Sequence, residues 1–276
     1  MFPVSRFRSR SRSKVSMTLW TPTQLNTALW MDSDDSRTIT LNGATVSQWN
    51  DKSGNARDVS QPTAAAQPTY SATGLNGKPI LTFDGGDLLL NNSPGALLRN
   101  VNGATLAAVV NYTNNSVSRA VCSVSTATAG QTRASLLVNN TTATGYLTGG
   151  RRLDANSFQL SGSSTFSAAT PVIQIGVLDY ANSDAFSYIN GNLDATNTSF
   201  QTDGNTSDTN SAALYIGGSA TGSTNPLLGS VAEIVIIQSA LNTAQRQNLE
   251  GYLAWKWGLQ GQLPIAHPYK NIPPYV

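Results

Sequence analysis

Cysteine and histidine each occur once in the 276 residues, as Cys122 and His267, and glutamate only as Glu233 and Glu250. A single cysteine excludes an internal disulfide, so stability has to come from packing. Cys122, within Ala120-Val121-Cys122-Ser123-Val124, reads as a small buried strand residue. One histidine and one cysteine cannot assemble a zinc site, which takes several such ligands. His267 lies among prolines and tyrosines, without the orienting carboxylate and nucleophile that a catalytic histidine needs, and reads as structural. No GxxxxGK(S/T) or GxGxxG phosphate loop stands between a strand and a helix. No apolar run nears the roughly 18 residues of a membrane span, and residues 15–22 hold no core for a signal peptide. Neither a membrane anchor nor an export signal is therefore expected.

Charge is also scarce, at 12% of residues, with Ser, Thr, Asn and Gly filling the polar positions. The small net charge of +2 hides an asymmetry, because Arg6, Arg8, Arg10, Arg12 and Lys14 stand in the first sixteen residues without an acid. These basic residues recur at every second position, which in an extended chain places them on one side. Residues 1–17 thus read as a basic arm and residues 18–276 as one domain. The arm is either a solvated tail, a segment docking in a negative groove of a neighbouring protein, or a phosphate binder. Phe2 and Phe7 favour docking, since they supply apolar anchors. Nucleic acid is not expected, because so few charges with one interleaved aromatic give little selectivity.

The most structured text runs from Gly229 to Leu259. Val231 to Ile237 is a nearly continuous apolar run, the pattern of a strand covered on both faces, and its lone charge, Glu233, needs a partner. Asn242 with Gln245 forms a capping box, so a helix follows from Thr243 and stops at Gly258. Leu249, Tyr252, Leu253 and Trp257 share one helix face, with Gln247 and Glu250 expected to point away. Further strands are expected at 80–83, 105–112, 135–138, 172–180, 185–189, 193–195 and 214–216, with Asn190-Gly191 as a type I′ hairpin turn. A short helix is expected near residues 24–29, and long loops or edge hairpins over 139–170 and 197–210. The last residues, from Gln262, are too rich in proline for helix or central strand.

Three features invite ligands. Asp32, Asp34 and Asp35 crowd together, as a solvated turn or as oxygen ligands for calcium, the one cofactor considered. Tyr146, Arg151 and Arg152 read either as ordinary surface groups or as the lining of a polar groove. Asp51, in the turn Asn50 to Asn55, is placed to cap backbone amides.

Two blocks resemble a known family. The first is "ALNTAQRQNLEGYLAWKWGL" followed by "LPIAHPYKN". The second is Val46-Ser47-Gln48-Trp49-Asn50-Asp51-Lys52-Ser53-Gly54-Asn55 with Phe83-Asp84-Gly85-Gly86-Asp87. They resemble the closing and opening segments of laminin-G-like, concanavalin A-like domains found in phage virion proteins and bacterial surface proteins. The resemblance implies an all-β, antiparallel jelly-roll sandwich, here with one C-terminal helix and an extended basic N-terminal arm. Combined with the arm and the missing export signal, it implies a non-enzymatic phage virion protein, a capsid decoration or fibre/tail component made in the host cytoplasm. Its partners would be other virion proteins, held through the arm, and copies of itself in a homo-oligomer. The alternative is a carbohydrate-binding module that recognises host-surface glycans; a bacterial adhesin is disfavoured by the missing signal. No catalytic residue is assigned, since Glu233 and Glu250 are isolated from each other, although an aspartate pair stays open.

Overall fold

The computed structural model describes residues 17–126, 131–140, 143–162, 166–219 and 225–276. The arm residues Phe2, Arg6, Phe7, Arg8, Arg10, Arg12 and Lys14 lie outside the described residues. In chain order the strands are β1 Thr27–Asp32, β2 Ile39–Asn42, β3 Thr45–Trp49, β4 Val59–Ser60, β5 Thr69–Leu75, β6 Lys78–Asp84, β7 Leu89–Asn91, β8 Gly103–Tyr112, β9 Arg119–Thr126, β10 Thr132–Asn140, β11 Ala143–Gly150, β12 Gln159–Gly162, β13 Val172–Asp179, β14 Asp184–Ile189, β15 Asn192–Asn197, β16 Ser211–Ile216 and β17 Leu228–Ile237. The helix α1 follows at Thr243–Trp257.

The pairings among these strands are antiparallel and build a sandwich. One layer runs β15-β14-β13-β8-β17. Beyond β17, β6 pairs with its first half and β1 with its second. The other layer runs β12-β11-β10-β9-β16-β7-β4, and β3 connects β4 to β5 at one side. Alternation along β8 shows how the layers are filled. Leu106, Ala108, Val110 and Tyr112 face the inter-sheet core, whereas Ala107 and Val109 face the helix. β17 does the same, with Val231, Ile234 and Ile236 inward and Val235 and Ile237 beneath α1. Both faces are covered, which is why the run is apolar throughout.

Helix α1 forms where its caps dictate. The Asn242 side chain accepts from the Gln245 amide at 3.0 Å, and the Gln245 side chain accepts from the Asn242 amide at 3.2 Å. Gly258 ends it with φ 70°, a conformation that penalises a Cβ. Leu249, Leu253 and Trp257 are fully buried against the sheet, and each leucine contributes about 1.5–3 kcal/mol relative to exposure. Glu250 corrects the expected outward face. It is fully buried, bonded to Arg246 and to His267 Nε2 at 3.0 Å. The Tyr269 amide donates to His267 Nδ1 at 3.2 Å, which leaves Nε2 to carry the proton toward Glu250.

Two other expectations change, and a third is decided between its alternatives. Residues 24–29 are not a helix; a single 3-10 turn at Pro22–Gln24 precedes β1, whose Leu29 and Met31 enter the inter-sheet core while Trp30 faces α1. The polar middle, read as long loops or edge hairpins, holds β11 and β12, which pair with each other at the edge of their layer. Residues 119–126, of which only Cys122 and its neighbours read as strand, form the whole of β9. The Asn190-Gly191 turn is as expected, with φ values of 51° and 80° and Ile189 opposite Asn192. No described helix is long and apolar enough to cross a membrane.

Candidate functional site

The site begins with an irregularity in β17. Val231 pairs with Val110 but Glu233 pairs with Val109, so Ala232 is an extra residue, a β-bulge. The bulge turns Ala232 and Glu233 to the same side and leaves the Ala232 carbonyl free of the β8 ladder. That carbonyl accepts from the Ser33 amide at 3.1 Å and from Ser33 Oγ at 2.7 Å. The loop after β1 is thereby pinned.

Glu233 is fully buried and accepts from four groups. Trp30 Nε1 and Tyr252 OH donate to Oε1 at 2.6 and 2.8 Å; Trp257 Nε1 and Lys256 Nζ meet Oε2 at 2.6 and 2.9 Å. Burial pushes its pKa above the ordinary value while Lys256 opposes the shift. Burial and the nearby carboxylates drive the Tyr252 phenol far above its usual range, so it remains a donor. The lone charge in the apolar strand thus has its partner, Lys256, on α1.

Asp32, Asp34 and Asp35 follow on the pinned loop. Asp32, nearly buried, meets Lys256 at 2.6 Å and Lys52 at 2.9 Å. Lys52 also reaches Asp35 at 3.1 Å, and Asp35 receives Arg37 through Nε and Nη2, both at 2.8 Å. Asp34 pairs with Lys78 at 2.6 Å. Arg37 first, with Lys52 adding to it, holds the Asp35 carboxyl well below the usual carboxylate range. Burial works against the Lys52 ammonium, yet Asp32 and Asp35 leave its pKa raised. The three aspartates, read as a solvated turn or as calcium ligands, are each met by a cation of the chain itself. The Lys52 ammonium bridges Asp32 and Asp35, Asp34 turns to Lys78, and among the described residues no three His, Cys, Asp or Glu side chains are grouped to hold a metal ion.

Asp51 positions Lys52. Its Oδ1 accepts from the amides of Trp30 and Ser53 at 3.0 and 2.9 Å, and its Oδ2 from the amide of Arg57 at 3.1 Å. The amide-capping role read from the turn is what the structure shows.

Against this charged framework lies an open trough. Its polar part, ≈ 410 Å³, is lined by Asp34, Asp35, Ser36, Arg37 and Lys52. Its apolar part, ≈ 390 Å³, is lined by Leu19, Trp20, Trp255, Pro273 and Pro274. Thr21, Tyr252 and Lys256 border both parts and make them contiguous. The C-terminal tail supplies the proline wall because it is tied to the first described residues. The Trp20 amide donates to Pro274 O at 3.0 Å, and Leu19 bridges Tyr275. Trp255 Nε1 donates to Tyr269 O at 2.8 Å, which fixes the indole.

The expected groove of Tyr146, Arg151 and Arg152 is not formed. Strand alternation sends Tyr146 into the inter-sheet core, 5.4 Å from Phe166 and 6.0 Å from Tyr112 between ring centroids. Arg151 donates to Asn156 O, and Arg152 to Asn205 O and Thr202 Oγ1, so each arginine secures a loop. A separate open depression of ≈ 520 Å³ near Asn156, Gln159, Gln201 and Thr202 is lined by hydroxyl and amide groups without aromatic rings. Of the trough, the sequence signalled the aspartates and the isolated Glu233. The aromatic wall went unread, since Trp20, Trp255 and Pro273 meet only through the fold.

A family model described as the concanavalin A-like lectin/glucanases superfamily, laminin-G type, matches residues 84–245. No curated protein matches the sequence. Among solved structures, domain 4 of an extracellular arabinanase from Geobacillus stearothermophilus, in complex with arabinotriose, superposes with a TM-score of 0.55 at 13% identity, covering 85% of this chain and 98% of that one. The binding domain of botulinum neurotoxin serotype D gives 0.56 at 9% identity, covering 82% of this chain and 50% of that one. The Trypanosoma rangeli sialidase with the inhibitor DANA gives 0.51 at 13%, covering 79% and 31%. This chain therefore spans half the length of the neurotoxin domain and less of the sialidase. At such identities the likeness is one of fold.

Proposed function

The chain belongs to the concanavalin A-like lectin/glucanases superfamily, and from that premise we propose that it is a carbohydrate-binding module whose ligand lies along the trough. The observation that carries this reading is the contiguity of the aromatic and proline wall with the polar pocket, across Thr21, Tyr252 and Lys256. A sugar ring has an apolar C–H face and a rim of hydroxyls, and its binding sites pair an aromatic surface with a few placed polar groups. The arabinanase domain that shares the fold is held in complex with arabinotriose, which supports the ligand class without specifying the ligand here.

Binding without hydrolysis is part of the proposal. Glycoside hydrolysis needs two carboxyl groups about 5–9 Å apart and able to reach the glycosidic bond. Asp32 and Glu233 face each other across β1 and β17, but the Lys256 ammonium is bonded to both. Glu233 is sealed beneath Trp30, Tyr252 and Trp257. A virion role held by the arm is a separate proposal, tested by deleting residues 1–16 and measuring particle attachment; the trough does not bear on it.

The test is a glycan array followed by calorimetric titration of the hits. Saturable binding that Trp255→Ala weakens about tenfold, ~1.4 kcal/mol, supports the reading, provided circular dichroism shows the variant folded. A blank array across neutral and charged glycans overturns it.

A further inference from the structure

The ion pairing of the trough determines which glycans it admits, an inference that rests on the carbohydrate reading above. Among the described residues, each cation at the polar end has a carboxylate partner. Lys256 directs its three donors to Asp32, Glu233 and Tyr252 OH, at 2.6, 2.9 and 3.1 Å. Lys52 is held by Asp32 and Asp35 and lies 4.5 Å from the centroid of the Trp30 ring. Arg37 places two donors on one carboxylate, and Lys78 pairs with Asp34. A sialic acid, uronic acid or sulfated sugar requires an unmatched cation or a fork of free donors. Here its anion would meet the Asp34 and Asp35 carboxylates at close range, an unfavourable like-charge contact.

Hydroxyl groups find the opposite situation. Lys78 contacts Asp34 through Oδ2, and among the described residues Oδ1 takes no hydrogen bond on a side chain that is 30% exposed. Ser36 lines the same pocket. A carboxylate oxygen accepting from a sugar hydroxyl makes a charge-assisted bond without bringing a second anion. The two contiguous volumes, ≈ 410 and ≈ 390 Å³, extend from this acceptor to Trp255 and Pro273. Each by itself falls in the size range of small-ligand pockets.

We infer that the trough selects a neutral oligosaccharide, with hydroxyls of one unit on Asp34 and Ser36 and the C–H face of a further unit on Trp255 and the prolines. The closing experiment titrates the full chain with neutral arabino-, xylo-, gluco- and galacto-oligosaccharides of one to six units. It uses sialyllactose, oligogalacturonate and a sulfated oligosaccharide as the acidic set, each at low and high sodium chloride. Expected are saturable binding within the neutral set, affinity rising at least tenfold from one unit to three, and less than a twofold change with salt. Asp34→Ala should weaken that binding severalfold while leaving the melting temperature nearly unchanged. Tighter binding of the acidic set, or affinity that collapses with salt, overturns the inference and leaves the carbohydrate reading standing. Neutral binding indifferent to both Asp34→Ala and Trp255→Ala removes the ligand from this trough. No binding by either set overturns the carbohydrate reading itself.

Discussion

Replacing Lys256 with methionine keeps the length and apolar stem of the side chain but takes away the charge between Asp32 and Glu233. Asp32 retains Lys52, at 2.9 Å, whereas Glu233, fully buried, has no other cation among its bonding partners in the described residues. Removing one member of a buried ion pair costs about 3–5 kcal/mol. With roughly 2–4 °C lost per kcal/mol for a chain of this size, the variant should melt about 6–20 °C lower at neutral pH. Acidification should repair part of the loss. Without Lys256 the folded-state pKa of Glu233 rises further, while the unfolded value stays near the ordinary 4.5. Between those two values the folded protein holds a proton that the unfolded chain has released, so stability falls as pH rises, by up to about 1.4 kcal/mol per pH unit. Urea titrations of the native chain and Lys256→Met at several pH values between about 5 and 8 would show the two stabilities converging toward acid. Parallel curves would refute the assignment of Lys256 as the counter-ion of Glu233.

Burial also pushes the Asp87 carboxyl up, to about 6, against the Asp84 amide hydrogen bond that favours its charge. Its contribution is therefore present at low pH and lost as pH rises from about 4 through 6; Asp87→Asn, which keeps an acceptor for that amide, should flatten the dependence of melting temperature on pH in that window. Asp51→Ala removes the acceptor for three backbone amides, a loss on the order of 3 kcal/mol. Limited proteolysis should then cut within residues 50–57, and an unchanged digestion pattern would count against the stitching role. Burial pushes the Cys122 thiol up to about 12, so a thiol reagent should label the native chain no faster than it unfolds. Rapid native labelling would contradict the buried position.

The segments legible from sequence are those whose partners are local. The capping box at Asn242, the left-handed Gly258 and the Asn190-Gly191 turn lie beside the elements they terminate, and each sits as read. Strand β1 was misread because its neighbours in space are remote. Trp30 bonds to Glu233, 203 residues away, and that pairing overrides the helical look of residues 24–29. The glycine- and threonine-rich middle read as long loops or edge hairpins for a related reason. A Cβ at Gly150 would lie 2.1 Å from Arg133 O, and one at Gly162 would lie 2.2 Å from Leu147 Cδ2. These glycines permit close approach of strands, which composition does not distinguish from a turn. At the site, the isolated Glu233 announced that it needed a partner, whereas the crowded aspartates read either as a solvated turn or as calcium ligands. The lysines that answer them come from elements distant in the chain.

Ala232, the extra residue of the β17 bulge, gives the length of this strand a meaning separate from its sequence. On either side of it the inward and outward positions alternate in the same phase against β8, so a chain one residue shorter here could keep every core side chain on its present face. What such a deletion would remove is the carbonyl that holds Ser33, and with it the seat of the loop carrying Asp34 and Asp35. Among homologous chains, a one-residue gap at this position would accordingly divide those that share the sandwich from those that also share the trough.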